Sequence, residues 1–142
     1  MMKHLLASVL LLLLSSPSFA EDGIIITDAW VRASLPGQQV GAAYLTIESK
    51  TDARITHASS SVSNSVEIHT MQVNNGVMQM RALTDFPLEA GKSTKFAPGG
   101  LHLMLIGLKD PLVEGAQVEI SLNIESAGKT STVPFKAPVR KP

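Results

Sequence analysis

The sequence predicts an all-β chain, an antiparallel β-sandwich or small barrel of about eight to nine short strands. Apolar residues recur with period two over most of the chain, as in strands whose side chains alternate between faces. Runs with the 3.6-residue period of an amphipathic helix are absent at useful length. The alternating runs are separated at short intervals by Pro, Gly, Ser and Asn, the spacing of antiparallel folds rather than of strand–helix–strand units.

Taken in order, Ile24, Ile26 and Asp28 alternate with Ile25, Thr27 and Ala29 in a first strand that ends near Trp30. Residues 34–39 contain Leu35-Pro36-Gly37 and read as a loop. Residues 42–48 form a strand with Tyr44, Thr46 and Glu48 on one face and Ala43, Leu45 and Ile47 on the other. After a turn at Thr51-Asp52 comes a short strand, 53–58, and then a polar Ser-rich loop, 59–65. Residues 66–71 and 77–83 make a hairpin about Asn74-Asn75-Gly76, whose Asn and Gly tolerate positive φ. A bend over 86–92, a short strand 93–96 and the turn Pro98-Gly99-Gly100 lead into a strand at 101–106. Following a loop at 111–115, the strand 117–124 turns at Ser126-Ala127-Gly128-Lys129 and returns over 130–134. The tail, 135–142, carries two prolines and is expected to be loosely held.

Composition narrows the function. The 142 residues carry 12 Lys+Arg against 12 Asp+Glu, so no basic field holds nucleic acid. At 44% apolar and 17% charged, the chain is not a disordered acidic tail. There is no Cys, which removes thiol catalysis, disulfides, zinc–thiolate sites and Cys-ligated haem or iron–sulfur centres. Residues 1–20 read as a secretory signal: Lys3 and His4, an apolar run from Leu5 to Leu14, and small residues in Ser18-Phe19-Ala20 before Glu21. That run is shorter than the roughly 20 residues a membrane span needs. The expected mature chain, 21–142, is one domain with no membrane insertion, outside the cytoplasm, and without the Cys that a lipid anchor requires.

The mature chain holds His57, His69 and His102, and Met71, Met78, Met80 and Met104. His69 and Met71 are two residues apart, as are Met78 and Met80, and His102 and Met104, so three strands each present a nitrogen or sulfur pair on one face. Leu101, Leu103 and Leu105, with Val66 and Ile68, mark the opposite faces as core, which turns His69 and His102 outward. Imidazoles with thioethers form a mixed nitrogen–sulfur donor set, whose soft thioethers, with no proton to lose, favour Cu(I) over zinc, calcium or magnesium. Without a thiolate the set cannot make a blue-copper electron-transfer centre, so carrying copper fits better than cycling it. Taken singly, each Met also reads as core filler, Met78 above all. His57 has no Met beside it and reads as a solvent-facing or locally hydrogen-bonded residue. Glu67 shares a face with His69, either as a solvated strand charge or as the partner of its second ring nitrogen. Arg81 alternates to the opposite face.

The spacing His69, ten residues, Met80, twenty-one residues, His102, one residue, Met104 resembles the signature of the periplasmic copper chaperones of the PCu(A)C type. The resemblance extends to Val66-Glu67-Ile68-His69-Thr70-Met71, Gly76-Val77-Met78-Gln79-Met80-Arg81 and Pro98-Gly99-Gly100-Leu101-His102-Leu103-Met104-Leu105. Ala29-Trp30-Val31-Arg32-Ala33 and Gly41-Ala42-Ala43-Tyr44 are similar as well. It implies a cupredoxin-like β-sandwich binding Cu(I) through His69, Met80, His102 and Met104, with Met71 as an additional donor. It also implies a non-enzymatic, monomeric carrier in the periplasm, which hands copper to the Cu(A) subunit of cytochrome c oxidase or to a Sco-type assembly protein. Some members carry a His- and Met-rich extension holding a second copper. Residues 130–142 contain neither residue, so one tight copper per chain is expected. A periplasmic copper buffer or scavenger, and a metal-free β-sandwich binding module, are the alternative functions.

Overall fold

The computed structural model describes Ala20, Glu21 and residues 23–142. The predicted signal, 1–20, lies outside the described residues except for Ala20. The strands are β1 (Ala20–Glu21), β2 (Ile24–Arg32), β3 (Val40–Ser49), β4 (Ala53–Ser60), β5 (Ser63–Asn74), β6 (Val77–Leu83), β7 (Phe86–Leu88), β8 (Ser93–Phe96), β9 (His102–Leu108), β10 (Gln117–Ser126) and β11 (Lys129–Arg140). Among the described residues no helix forms, in agreement with the predicted class, but the strands number eleven rather than eight to nine.

Seven strands close into a barrel in the order β2-β11-β10-β4-β5-β9-β3, with β3 returning to β2. The remaining β1, β6, β7 and β8 hang on β2, β5, β4 and β3. The pairings are antiparallel except where β11 meets β2 at Val139 and Arg140. The alternating apolar residues fill the barrel: Val31, Ala43, Ile47, Leu103, Leu105, Ile120, Leu122 and Ala137 are wholly buried. Closure removes most free strand edges, which an open sheet would present for aggregation.

The bend expected at 86–92 opens with β7, and two other expectations fail for identifiable reasons. The Ser-rich stretch 59–65 is not a loop: β4 runs to Ser60, β5 opens at Ser63, and two residues turn between them. Two of its serines are held within the sheet, Ser60 Oγ donating to the Glu119 carbonyl at 2.7 Å and Ser63 Oγ to that of Ser65 at 3.1 Å. Such bonds let polar side chains sit in a strand without a buried hydroxyl going unpaired. Nor is the tail loosely held, because β11 continues to Arg140 and buries Phe135, Ala137 and Val139 at 0–3% exposure. Proline breaks a strand only where its missing N–H is needed. Pro134 and Pro138 share the parity of Arg140, whose carbonyl faces the β2 side by accepting from Ala33 N, while Val139 N reaches back to the Ala116 carbonyl. Both prolines therefore fall where an N–H would point away from β10.

A bulge in β2 decides which of its side chains reach the outer face. The register against β3 shifts between Thr27 and Trp30, and Asp28 takes φ 53°. Asp is among the few side-chain-bearing residues that enter this left-handed region readily. The extra residue reverses the alternation. Ile24 and Ile26 point to the core, yet beyond the bulge it is Val31 that is buried, and Trp30 and Arg32 turn to the outer face.

β5 belongs to the barrel only in part. Residues 63–69 pair with β9, whereas residues 68–74 pair with β6. Beyond His69 the β5–β6 hairpin leaves the ring, and every β6 residue except Leu83 is exposed.

Candidate metal centre

The predicted donors meet on the outer face of the barrel, at the point where β5 leaves it. His69 and His102 are directly opposed in the β5–β9 ladder, and their ring centroids lie 5.8 Å apart. Met71 opposes Met80 in the β5–β6 ladder. Met104 opposes Glu67 on one side and Ala42 on the other. Directly opposed residues project to the same face, so register alone brings His69, Met71, Met80, His102 and Met104 to one surface.

Each imidazole has one nitrogen engaged by the protein. Glu67 Oε2 lies 2.7 Å from His69 Nε2, and the Gly100 carbonyl lies 3.1 Å from His102 Nδ1. A carboxylate and a carbonyl can only accept, so these nitrogens carry the protons. In neutral rings the lone pairs are then on His69 Nδ1 and His102 Nε2. His69 Nδ1 is buried with no hydrogen-bond partner. A buried acceptor left empty costs about 1–3 kcal/mol, and an incoming metal ion satisfies it. Glu67 thus has the orienting role rather than that of a free surface charge.

The turn before β9 sets the second ring. Gly100 N donates to the Ala97 carbonyl and Ala97 N to that of Leu101, with Gly99 at φ 83°, a conformation glycine enters without strain. This turn aims the Gly100 carbonyl at His102 and forms one wall of a cleft of about 300 Å³. Met71, Met80, His102 and Met104 line the cleft together with Arg32 and Tyr44.

Alternation places both histidines away from the core as expected, but they are not surface residues. His102 is 8% exposed and the His69 side chain 12%. Tyr44, itself buried, stacks against Trp30 with centroids 4.6 Å apart. The methionines differ: Met104 and Met71 are half-buried, while Met80 and Met78 are 50% and 61% exposed. The site grades from sheltered imidazoles to open thioethers. Among the described residues no group of three or more His, Cys, Asp and Glu is placed to hold a metal.

His57 lies apart and exposed on β4, and Arg81 opposes Thr70 on the other face of the hairpin. The reading by periodicity missed Arg32 as a cleft residue. Its Nε is buried without a partner. Strict alternation from Ile24 and Ile26 would have put Arg32 in the core, and the signal that it does not is the Asp28 bulge.

A family model described as "Putative lipoprotein LpqE-like" matches residues 24–139. A relative named "Putative lipoprotein Lxx21020", from Leifsonia xyli subsp. xyli, is 32% identical over 126 residues, covering 88% of this chain and 74% of its own. Among solved structures, the copper-bound PCuAC domain from PmoF2 superposes with a TM-score of 0.71 at 24% identity, over 89% of this chain and all of that domain. The Cu(I) form of DR1885 from Deinococcus radiodurans gives 0.61 at 29% identity, over 82% of this chain and 78% of that one. The likeness to PCuAC domains read from the His–Met spacing is borne out.

Proposed function

The chain belongs to the LpqE-like family, and from that premise we propose that it is a periplasmic copper chaperone, binding one Cu(I) and passing it on. Its ligands are His69 Nδ1, His102 Nε2 and the thioethers of Met80 and Met104, with Met71 in reserve. One observation carries the reading: a buried, unpartnered His69 Nδ1 beside His102, next to a cleft that three methionines line. Soft neutral donors stabilise Cu(I) without releasing a proton from sulfur. The predicted signal and the lipoprotein names of the relatives support an envelope location.

The surroundings favour delivery over storage. Val73, Met78 and Met80 are 50–69% exposed on one face of the hairpin, beside the cleft that Met80 lines, the apolar patch a partner covers. A partner docked there displaces thioethers one at a time, and the histidines release the ion last. On the PCu(A)C resemblance, the acceptor is the Cu(A) subunit of cytochrome c oxidase or a Sco-type assembly protein. No step needs a proton or an electron from the chain, so the role is that of a carrier rather than an enzyme.

The test is an anaerobic Cu(I) titration against a competing chromophoric chelator, followed by X-ray absorption on the same sample. One tight equivalent with a mixed nitrogen–sulfur shell is expected. Weak binding, or a shell of nitrogen and oxygen alone, overturns the assignment and favours a metal-free binding module.

A further inference from the structure

One copper leaves sulfur unused. We propose that Met71, Met78 and Met80 make a second, outer site on the β5–β6 hairpin, built of thioethers alone, which takes a soft monovalent cation ahead of the histidine pair. The proposal rests on the copper reading above for its cargo and on separate observations for its existence.

Packing does not account for these methionines. Met is usually a filler of irregular cores, but Met78 and Met80 are 61% and 50% exposed on a strand that buries almost nothing. Register gathers them instead. Met71 opposes Met80, and Met78 lies one pleat along on the same face, opposite Val73. Opposed Cβ atoms are about 5 Å apart and diagonal ones about 7–8 Å, within reach of flexible side chains that each end in a sulfur. Hard ions and zinc have no reason to stop at three thioethers, whereas Cu(I) and Ag(I) do.

The outer set also adjoins the inner one. Met71 and Met80 line the cleft that holds His102 and Met104, whereas Met78 does not. A cation caught on the hairpin therefore moves inward by exchanging donors. The bond to Met78 sulfur breaks as a bond to an imidazole lone pair forms, Met80 stays attached, and neither a proton nor an electron is transferred. The outer site is the weaker one, so it adds no second tight equivalent.

Silver nitrate titrated into the full chain, with [methyl-13C]methionine labelling, separates the two sites. With His69→Ala and His102→Ala combined, the methyl signals of Met71, Met78 and Met80 are expected to shift together while that of Met104 stays put. Adding Met78→Leu then weakens binding about tenfold or more, the loss of ~1.4 kcal/mol for one donor of three. A Met78 methyl that does not move, or Met78→Leu without effect on affinity, overturns the outer site. Should the double variant not fold, the unsubstituted chain decides: a second Ag(I) equivalent must shift Met78. If the unsubstituted chain shifts the hairpin methyls from the first equivalent and leaves Met104 and both imidazoles unmoved, the inner site fails and the outer one stands.

Discussion

Glu67 offers the sharpest test of how the site is held. Its carboxylate lies 2.7 Å from His69 Nε2, which fixes the ring so that Nδ1 keeps its lone pair for the metal. Removing a group that orients a ligating imidazole costs about 10–100-fold in metal affinity. The Glu67 side chain is 48% exposed while that of His69 is 12% exposed, so water screens the carboxylate more than the ring. Solvent access puts the effect at the lower end: about tenfold weaker Cu(I) binding for Glu67→Ala, or ~1.4 kcal/mol. Glu67→Gln keeps a carbonyl acceptor at nearly the same place and loses only the charge, so its cost is smaller, about threefold by the same conversion. Affinity is read by chelator competition under anaerobic conditions. Long-range 15N NMR on the metal-free protein reads the tautomer and must find the His69 proton on Nε2. A proton on Nδ1, or a Glu67→Ala variant that binds copper as tightly as the natural chain, refutes the reasoning, because the metal would then have to use the nitrogen that Glu67 occupies.

Other perturbations separate site from scaffold. His102→Ala abolishes tight copper binding, whereas His57→Ala, exposed on β4, leaves it unchanged; the same competition assay reads both. Copper affinity falls on acidification, because an imidazole that has taken up a proton has no lone pair left for the metal, and a flat profile in the same competition assay would exclude histidine ligation. Phe135→Ala empties a fully buried position in β11 and costs about 3–5 kcal/mol in urea unfolding. A cost near zero would mean that β11 is not part of the core. Asp28→Ile forces a β-branched residue into φ 53° and costs about 1–2 kcal/mol, with loss of copper affinity if the bulge slips and re-aims Arg32.

The sequence carries the fold class because period-two alternation survives in the strands that bury one face, such as Val118-Ile120-Leu122-Ile124. It carries the donors because strand geometry ties residues two apart to one face whatever the topology. What it hides is everything set by pairing. That His69 faces His102, or that Met71 faces Met80, depends on which strands are neighbours and in what register, and local pattern does not encode this. Pro138 looked disruptive because its effect depends on which edge its nitrogen meets, again a matter of neighbours. The Asp28 bulge is one unpaired residue, yet it reverses every side chain after it and sends Arg32 to the cleft. Periodicity cannot locate such a reversal beforehand, since Asp at a strand position reads as an ordinary solvent-facing residue.

The place of the site in the barrel fits the carriage proposed for it. The two histidines sit in the closed ring, where β5 and β9 are locked by the ladder and the Leu103–Leu105 core lies behind them. Donors on such a frame keep their geometry when the ion leaves, so little reorganisation accompanies uptake or release. Met80 sits instead on a strand whose one paired neighbour is β5, exposed and outside the core. A donor with this freedom yields to a competing ligand without disturbing the frame. On the proposed ligand set, with His69, His102 and Met104 in the ring and Met80 on the hairpin, one site would hold copper against loss to water and still surrender it to a partner that arrives from the hairpin side. A site with all four donors in the ring would bind as well but release slowly. One with all four on the hairpin would release readily but hold poorly.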